Sequence, residues 1–528
     1  MKQLRVGRFT FEFMGRMLGV SMCIAASLFN PLPIKAQLIG STNFFTQPFD
    51  STQNLILLSP SNRQQLFRPS DTISIQVSNN QTFTVFGLRG NVLYQGGQTN
   101  LQFPPGHYFV ETDGDRNQFA VLPNDYAGAP FLGTDADNGW NVLSDKIQQI
   151  QPTWMRTGAG MWDLVQTQRD VWDWSTMDQV VSNSFRKKLI STAAWIIPSW
   201  VQSNEMMQTY TQFVHTMAAR YKGKLAAIEI WNEPWYNKFP GCTNVDLDGF
   251  VDFYLTLHRN GRAAIKSADQ KPLILGPVWS CLTREESLTM TVSNKSLYMF
   301  DGWEWHDYNE ADYAPDYDYL APIWVRSITR EHLAWNFGNN TVRKHMYIGE
   351  LGLYGQSAIG CPYVQGDSSI NWYTGMSRAI KTLLLYRAAG VMCLISEDMT
   401  LANEPPGPNL ELFGWDYNYR GPHPKTSAFL MTCYWLNRAT YYGTTNVGNQ
   451  VYLSSWRRPH TGTLVFAWSP EGQSATLSPV SGFTATDIYG QTVPATSLGE
   501  EPVLFQQIKS ISPLKAMRQI AAAVQASP

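Results

Sequence analysis

Three textures of apolar and polar positions follow one another along the chain. From about residue 38 to 126, apolar and polar residues alternate in short runs, as in Thr72-Ile73-Ser74-Ile75-Gln76-Val77 and Phe83-Thr84-Val85-Phe86. Turn clusters separate these runs, and period-two alternation with such punctuation predicts a small β-sandwich over 37–126. Pro105-Gly106-His107-Tyr108-Phe109-Val110 and Gln118-Phe119-Ala120-Val121-Leu122 read as its closing strands, and Pro123 to Pro130 as a linker.

From about 127 to 440 short apolar runs alternate with longer amphipathic stretches. That pattern predicts βα units around a parallel sheet. Eight strands are expected: near Phe131-Leu132, Trp154-Met155-Arg156, Leu189 to Ala194, Leu225 to Trp231, Leu273 to Leu275, Phe300 to Trp305, His345 to Ile348 and Gly390 to Leu394. Helices are expected over Met206 to Arg220, Phe250 to Ile265 and Ile370 to Ala389. Eight units in roughly 310 residues suit an α/β chain folded as a (β/α)8 barrel with insertions. From about 441 the strand signal returns, in Gln450 to Trp456, Leu464 to Trp468, Phe483 to Tyr489 and Val503-Leu504-Phe505. It predicts a C-terminal all-β domain over 441–506, a second sandwich. Residues 507–528, rich in Ala and Gln, read as a tail that is either a surface helix or disordered.

The first 36 residues read as an export signal. Lys2, Arg5, Arg8 and Arg16 make a basic region, and Met17 to Phe29 runs apolar and small. That run falls short of the ~20 residues that span a bilayer. Pro31 and Pro33 end it, and Ile34-Lys35-Ala36 offers a cleavage site before Gln37. The mature chain is therefore expected in the periplasm or outside the cell, with no stable membrane insertion once the signal is removed; an uncleaved anchor is the alternative.

Charge narrows the partners. Lys and Arg number 40 against 42 Asp and Glu, a net of −2. Nucleic acids and anionic membranes call for a basic surface, so neither is expected as the main partner. Aromatic residues make up 13% of the chain, with 19 Trp. Rings on this scale fill cores, and they also stack on sugar faces; composition does not separate the two. The six Cys (23, 242, 281, 361, 393, 433) contain no C-x-x-C, which removes the zinc and thioredoxin-like readings. Cys393 lies inside an apolar strand and reads as a buried thiol. With no H-E-x-x-H, no P-loop and no dinucleotide glycine pattern, no metal or organic cofactor is implied.

Two acids stand out. The fourth expected strand runs Leu225-Ala226-Ala227-Ile228-Glu229-Ile230-Trp231-Asn232-Glu233-Pro234, an apolar run leading to a carboxylate flanked by Asn and Pro. The seventh, Met346-Tyr347-Ile348-Gly349-Glu350-Leu351-Gly352, does the same. In a barrel the C-terminal strand ends line the active site. Glu is rarely buried unless paired. A lone strand-end Glu is explained by a salt bridge; two of them, at strands four and seven, call for shared chemistry. Glycoside cleavage supplies it, since it needs two carboxyl groups flanking the scissile bond.

Asn232-Glu233-Pro234 and Glu350 resemble the signature of clan A glycoside hydrolases, barrels that carry their two acids at strands four and seven. The spacing, 350 − 233 = 117 residues, is similar to that of the clan. Within it the chain is most similar to the β-xylosidase and α-L-iduronidase family (family 39) and related bacterial exopolysaccharide hydrolases. Val171-Trp172-Asp173-Trp174, Met177-Asp178, Ile197-Pro198-Ser199-Trp200, Pro424 to Phe429 and Asp487-Ile488-Tyr489-Gly490-Gln491 carry that likeness, over about 127 to 505. The chain departs from the clan at the eighth strand: Val391 to Met399 lacks the Trp often found there and carries Glu397 and Asp398 instead.

The resemblance implies a secreted retaining glycoside hydrolase acting on an oligosaccharide or polysaccharide by double displacement. Glu350 would be the nucleophile and Glu233 the acid/base. Asn232 would hydrogen-bond the sugar 2-hydroxyl, Arg156 would hold Glu350 ionised and oriented, Tyr308 would donate to Glu350, and His306 would contact sugar or support the acid. Trp195, Trp235, Trp279, Trp303 and Trp305 lie near strand ends, with Trp235 and Trp279 best placed to stack on sugar. Cys242 and Cys281 follow strands that are neighbours in a barrel and are the candidates for a disulfide. Two alternatives share these features: a carbohydrate-binding barrel without turnover, and a transglycosylase using the same acids.

Overall fold

At the centre are eight parallel strands that close on themselves: β1 (Leu132–Asp135), β2 (Trp154–Thr157), β3 (Lys188–Thr192), β4 (Leu225–Glu229), β5 (Leu273–Trp279), β6 (Gly302–Asp307), β7 (His345–Leu351) and β8 (Val391–Ser396). The last pairs back onto the first, Leu132 against Leu394. The computed structural model describes residues 49–50, 56–59, 62, 65–78, 81–97, 99–113, 115–135, 149–184, 187–234, 247–279, 299–307, 345–351, 359–360, 372–396, 421–448, 451–459, 461–494, 496–507 and 511–525.

Period two sorts the strand residues into inner and outer sets. Trp154, Ile190, Ala227, Leu275, Tyr347, Cys393 and Ile395 form one cluster drawn from six strands. Strands that are not neighbours touch in this way only inside the barrel. The residues between them face outward. Met155, Leu189, Ile228 and Ile274 join the helix Met206–Arg220, whose buried positions include Met206, Tyr210, Phe213, Val214 and Met217, in a second core. Those positions recur at helical spacing, so one stripe meets the sheet. Trp172 and Trp174 stack on Phe213 at 6.2 and 6.0 Å. Fully burying a side chain such as Phe213 contributes about 1.5–3 kcal/mol.

Before the barrel, two sheets pack face to face. One holds Ile56–Leu58, Ile73–Val77 and Thr99–Leu101; the other holds Leu66–Phe67, Asp115–Val121, Gly106–Thr112, Phe83–Gly87 and Val92–Gly96. Ile73, Ile75, Phe83, Val85, Val110 and Phe119 fill the space between them. After the barrel come a five-stranded sheet (Thr440–Val447, Val451–Arg458, Gly462–Trp468, Val503–Gln507, Thr484–Thr486) and a three-stranded one. The final segment is helical over Pro513–Ala523, capped by Ser512, whose Oγ accepts from the Lys515 N–H at 3.3 Å. It does not lie apart as a tail: Ala516, Met517 and Ile520 are part of the C-terminal core, and Val524-Gln525 pairs with Ala475–Leu477.

Helix Pro424–Leu436 is buried along nearly its whole length. Ser427 shows why: its hydroxyl meets His107 Nδ1 of the N-terminal sheet at 3.0 Å and the Tyr489 hydroxyl of the C-terminal domain at 2.7 Å. Among the described helices, none is long and apolar enough to cross a membrane.

Candidate active site

Above the apolar layer of the barrel the same alternation produces a polar one. Two residues on from Trp154, Ile190 and Ala227 stand Arg156, Thr192 and Glu229, all buried. Arg156 is the hub. Its Nε donates to Glu229 Oε1 at 2.7 Å, its Nη2 to Asn232 Oδ1 at 2.7 Å, and its Nη1 reaches Asp135 Oδ2 at 2.7 Å and Glu350 Oε1 at 2.8 Å. Thr192 Oγ1 donates to the other Glu229 oxygen at 2.7 Å. Burial opposes the Glu229 charge, but the adjacent guanidinium outweighs it and holds the carboxyl below its ordinary range.

Strand β4 stops at Glu229, short of the expected Trp231. The chain leaves the ladder because the Asn232 N–H turns to Ala194 O, just past β3, at 2.7 Å. Glu233 then sits on the loop with φ of +44°. A side chain at positive φ is strained by about 1–3 kcal/mol, and such residues cluster at functional sites. The following Pro234 adds a second restriction, since a residue before proline prefers extended backbone.

Glu350 reaches the barrel mouth by another device. Trp305 pairs with Ile348 but His306 pairs with Glu350, and on the other side Ile348 and Leu351 pair with Leu394 and Ser396. Both neighbours thus see one extra residue in β7, a bulge. Tyr347 faces inward and Ile348 and Leu351 outward; the bulge lets Glu350 face inward as well.

The two acids meet at one imidazole. His306 Nδ1 lies 2.7 Å from Glu233 Oε1 and 3.2 Å from Glu350 Oε2. One ligating atom from each of Glu233, His306 and Glu350 lies within 4.8 Å of the others. Burial disfavours a charge on His306, but Glu350's charge and the hydrogen bonds to Glu233 and Glu350 overcome it and raise the imidazole to about 10. Among the described residues this is the one cluster with metal-ligand spacing. In the protonated imidazole Nδ1 is a donor that faces both carboxyl groups.

The structure therefore brings Arg156, Asn232, Glu233, His306 and Glu350 together. Trp195, 40% exposed just past β3, stands open to solvent. Trp303 is buried against Phe300 and belongs to the core. Tyr308, Trp235, Cys242, Cys281, Glu397 and Asp398 lie outside the described residues, and of Trp279 and Trp305 only the backbone is described. Cys393 is a buried free thiol. Asp135, Thr192, Glu229 and Glu304 are members of the network that motif reading passes over. A signal was there: Glu229 interrupts an apolar run four residues before Glu233, and Glu304 sits two before His306.

No protein-family model matches the chain. Among solved structures, a family 39 glycoside hydrolase from the gut symbiont Bacteroides cellulosilyticus matches with a TM-score of 0.65 over 86% of this chain and 100% of that one, at 15% identity. The two chains share a fold. Family 39 is also the family that the sequence resembles. A family 30 subfamily 8 xylanase from Clostridium acetobutylicum (TM-score 0.46, 12% identity, 72% of this chain, 96% of that one) and a family 10 endoxylanase from a sugarcane soil metagenome (0.41, 15%, 58%, 98%) match less closely. At these identities the likeness concerns architecture, and chemistry rests on the site itself.

Proposed function

We propose that this chain is an exported retaining glycoside hydrolase acting on an oligosaccharide or polysaccharide, with Glu350 as nucleophile and Glu233 as acid/base. The carrying observation is the convergence of Glu233 and Glu350 on His306 Nδ1. Two carboxyl groups about 5–5.5 Å apart suit double displacement, whereas inversion needs a gap of about 6.5–9.5 Å for water. One carboxyl oxygen of each acid lies within 4.8 Å of one on the other, a close approach that favours the shorter gap.

Glu350, kept ionised by Arg156 and His306, attacks the anomeric carbon while Glu233 protonates the leaving oxygen. Ester formation removes the Glu350 charge. Glu233, left ionised by giving up its proton to the leaving group, then takes one from the attacking water. Arg156 fixes Asn232 Oδ1 as the acceptor end of its amide, so Nδ2 is the donor end available to a sugar hydroxyl. Trp195, just past β3, is open enough to stack on a sugar face. Export is supported by the basic and apolar pattern of the first 36 residues.

The reading is tested by screening a panel of aryl glycosides and polysaccharides and following the first-formed anomer by proton NMR. Retention is expected. Glu350→Ala should show no turnover. Glu233→Ala should lose about 10²–10⁴-fold and recover with azide on substrates whose leaving group needs no proton. Inversion, or turnover that survives Glu350→Ala, would overturn the assignment.

A further inference from the structure

Beneath the two acids lies a third whose role neither step uses. Glu304, on β6, is 1% exposed, and neither of its oxygens meets a described hydrogen-bond donor. It lies close under the nucleophile's strand: a Cβ at Gly349 would come within 2.6 Å of Glu304 Oε1. The neighbouring charge that acts on it most strongly is another carboxyl group, Glu229.

The charges near the site decide its state. Arg156 and His306 are the cations. Arg156 is taken up by Asp135, Glu229 and Glu350, and His306 by Glu233 and Glu350. No described cation contacts Glu304. An unpaired carboxylate in a dry interior costs several kcal/mol, and a buried group of this kind takes a proton instead. Once protonated, it can donate to a carboxylate, which two ionised carboxyl groups cannot do for each other. Glu229 already accepts from Arg156 and Thr192 and has lone pairs left, so it is the acceptor.

We propose that Glu304 is a protonated positioning residue: its O–H donates to Glu229, which braces the Arg156 guanidinium against Glu350. This rests on reading Glu350 as the nucleophile. Burial, first, and then the Glu229 charge push the Glu304 carboxyl well above its ordinary range. The titratable and charged groups around it act from every side: Glu229 and Arg156 on β4 and β2, Glu350 and Tyr347 on β7, Cys393 on β8, Tyr254 on helix Leu247–Ala268, and His306 two residues along its own strand. A second proton-free carboxylate here would compete with Glu350 for Arg156. A neutral donor does not.

Two variants of the full chain separate the proton from mere bulk. Glu304→Gln keeps size, neutrality and a donor; Glu304→Leu keeps size alone. Difference infrared spectra of wild type minus Glu304→Gln at neutral pH should show a protonated-carboxyl stretch, and its absence would overturn the proposal whether or not the protein cleaves glycosides. On a glycoside that wild type hydrolyses, Glu304→Gln should lose no more than about threefold in kcat. Glu304→Leu should lose at least tenfold in kcat with KM within twofold, and its acid limb should move to higher pH as Arg156 loosens from Glu350. Equal kinetics and pH profiles for Glu304→Leu and wild type would defeat the positioning role. If no glycoside is turned over by any form, the functional reading fails while the infrared band still decides the proton.

Discussion

Arg156 is a single side chain holding three elements together. Its guanidinium is planar with five donors, so it meets Asp135, Glu229, Asn232 and Glu350 at once. A lysine offers one point charge and cannot span that set. Arg156→Lys is expected to lower kcat/KM by about tenfold or more, the worth of one charged hydrogen bond at 1.5–3 kcal/mol. Steady-state assays with a circular-dichroism check on folding would decide it; kinetics like wild type's would contradict the hub assignment.

His306 gives the residue scale a pH dependence. Folded, it keeps its proton up to about 10, against 6.5 for the free side chain. Between those values the folded state binds more protons than the unfolded state. Stability from this group is therefore complete below about pH 6.5 and declines as pH rises, to be gone above about 10. Urea midpoints measured from pH 6.5 to 10 should fall in wild type and fall less steeply in His306→Gln. Parallel slopes would mean that the imidazole does not carry this charge.

At the scale of elements, the bulge in β7 and the early end of β4 place the acids. Both depend on local backbone that a substitution can test. Gly349→Ala would put a methyl group 2.6 Å from Glu304 Oε1, with the Glu304 Cδ and Cγ at 3.1 and 3.2 Å. Overpacking of that kind costs about 1–3 kcal/mol. Glu350 is the next residue, so activity should fall along with the urea midpoint. If the clash is the cause, adding Glu304→Ala should recover stability lost by Gly349→Ala. A double variant less stable than either single would point elsewhere.

The whole molecule is fastened by ions as well as by its cores. Arg89, on the turn after strand Phe83–Gly87, reaches Asp487 at 2.6 Å and Glu501 at 3.1 Å in the C-terminal domain. Tyr373, on the helix before β8, donates to Glu501 at 2.7 Å. Asp487 also accepts from the Tyr489 and Gln491 N–H groups at 2.9 Å, closing the turn in which Gly490 has φ of +85°. Both acids are nearly inaccessible, at 1% and 8% of their side-chain surface. Removing the cation strands them, which costs about 3–5 kcal/mol. Arg89→Met should lower the denaturant midpoint accordingly while leaving kcat on an active substrate unchanged, because none of these groups touches the barrel mouth. A silent midpoint would show that the junction is held by its apolar contacts alone.

The order of hydrophobic and polar positions by itself determined the eight-stranded barrel and the flanking sheets, because each strand must bury one set of alternating residues and each helix one stripe. It also marked Glu233 and Glu350, since a charge at the end of an apolar run is costly unless something uses it, whereas Arg156, Asn232 and His306 were marked through the family resemblance. Tertiary structure alone decided how those charges are matched. Sequence ran the fourth strand on to Trp231, but the strand ends at Glu229 and the Asn232 N–H turns to Ala194 O, past the end of β3. Plain alternation would have turned Glu350 away from the barrel, and one unpaired residue in β7 turns it inward. Glu229 and Glu304 lay hidden for the same reason: which carboxyl keeps its proton depends on distances to cations contributed by other strands, and linear order does not contain those distances.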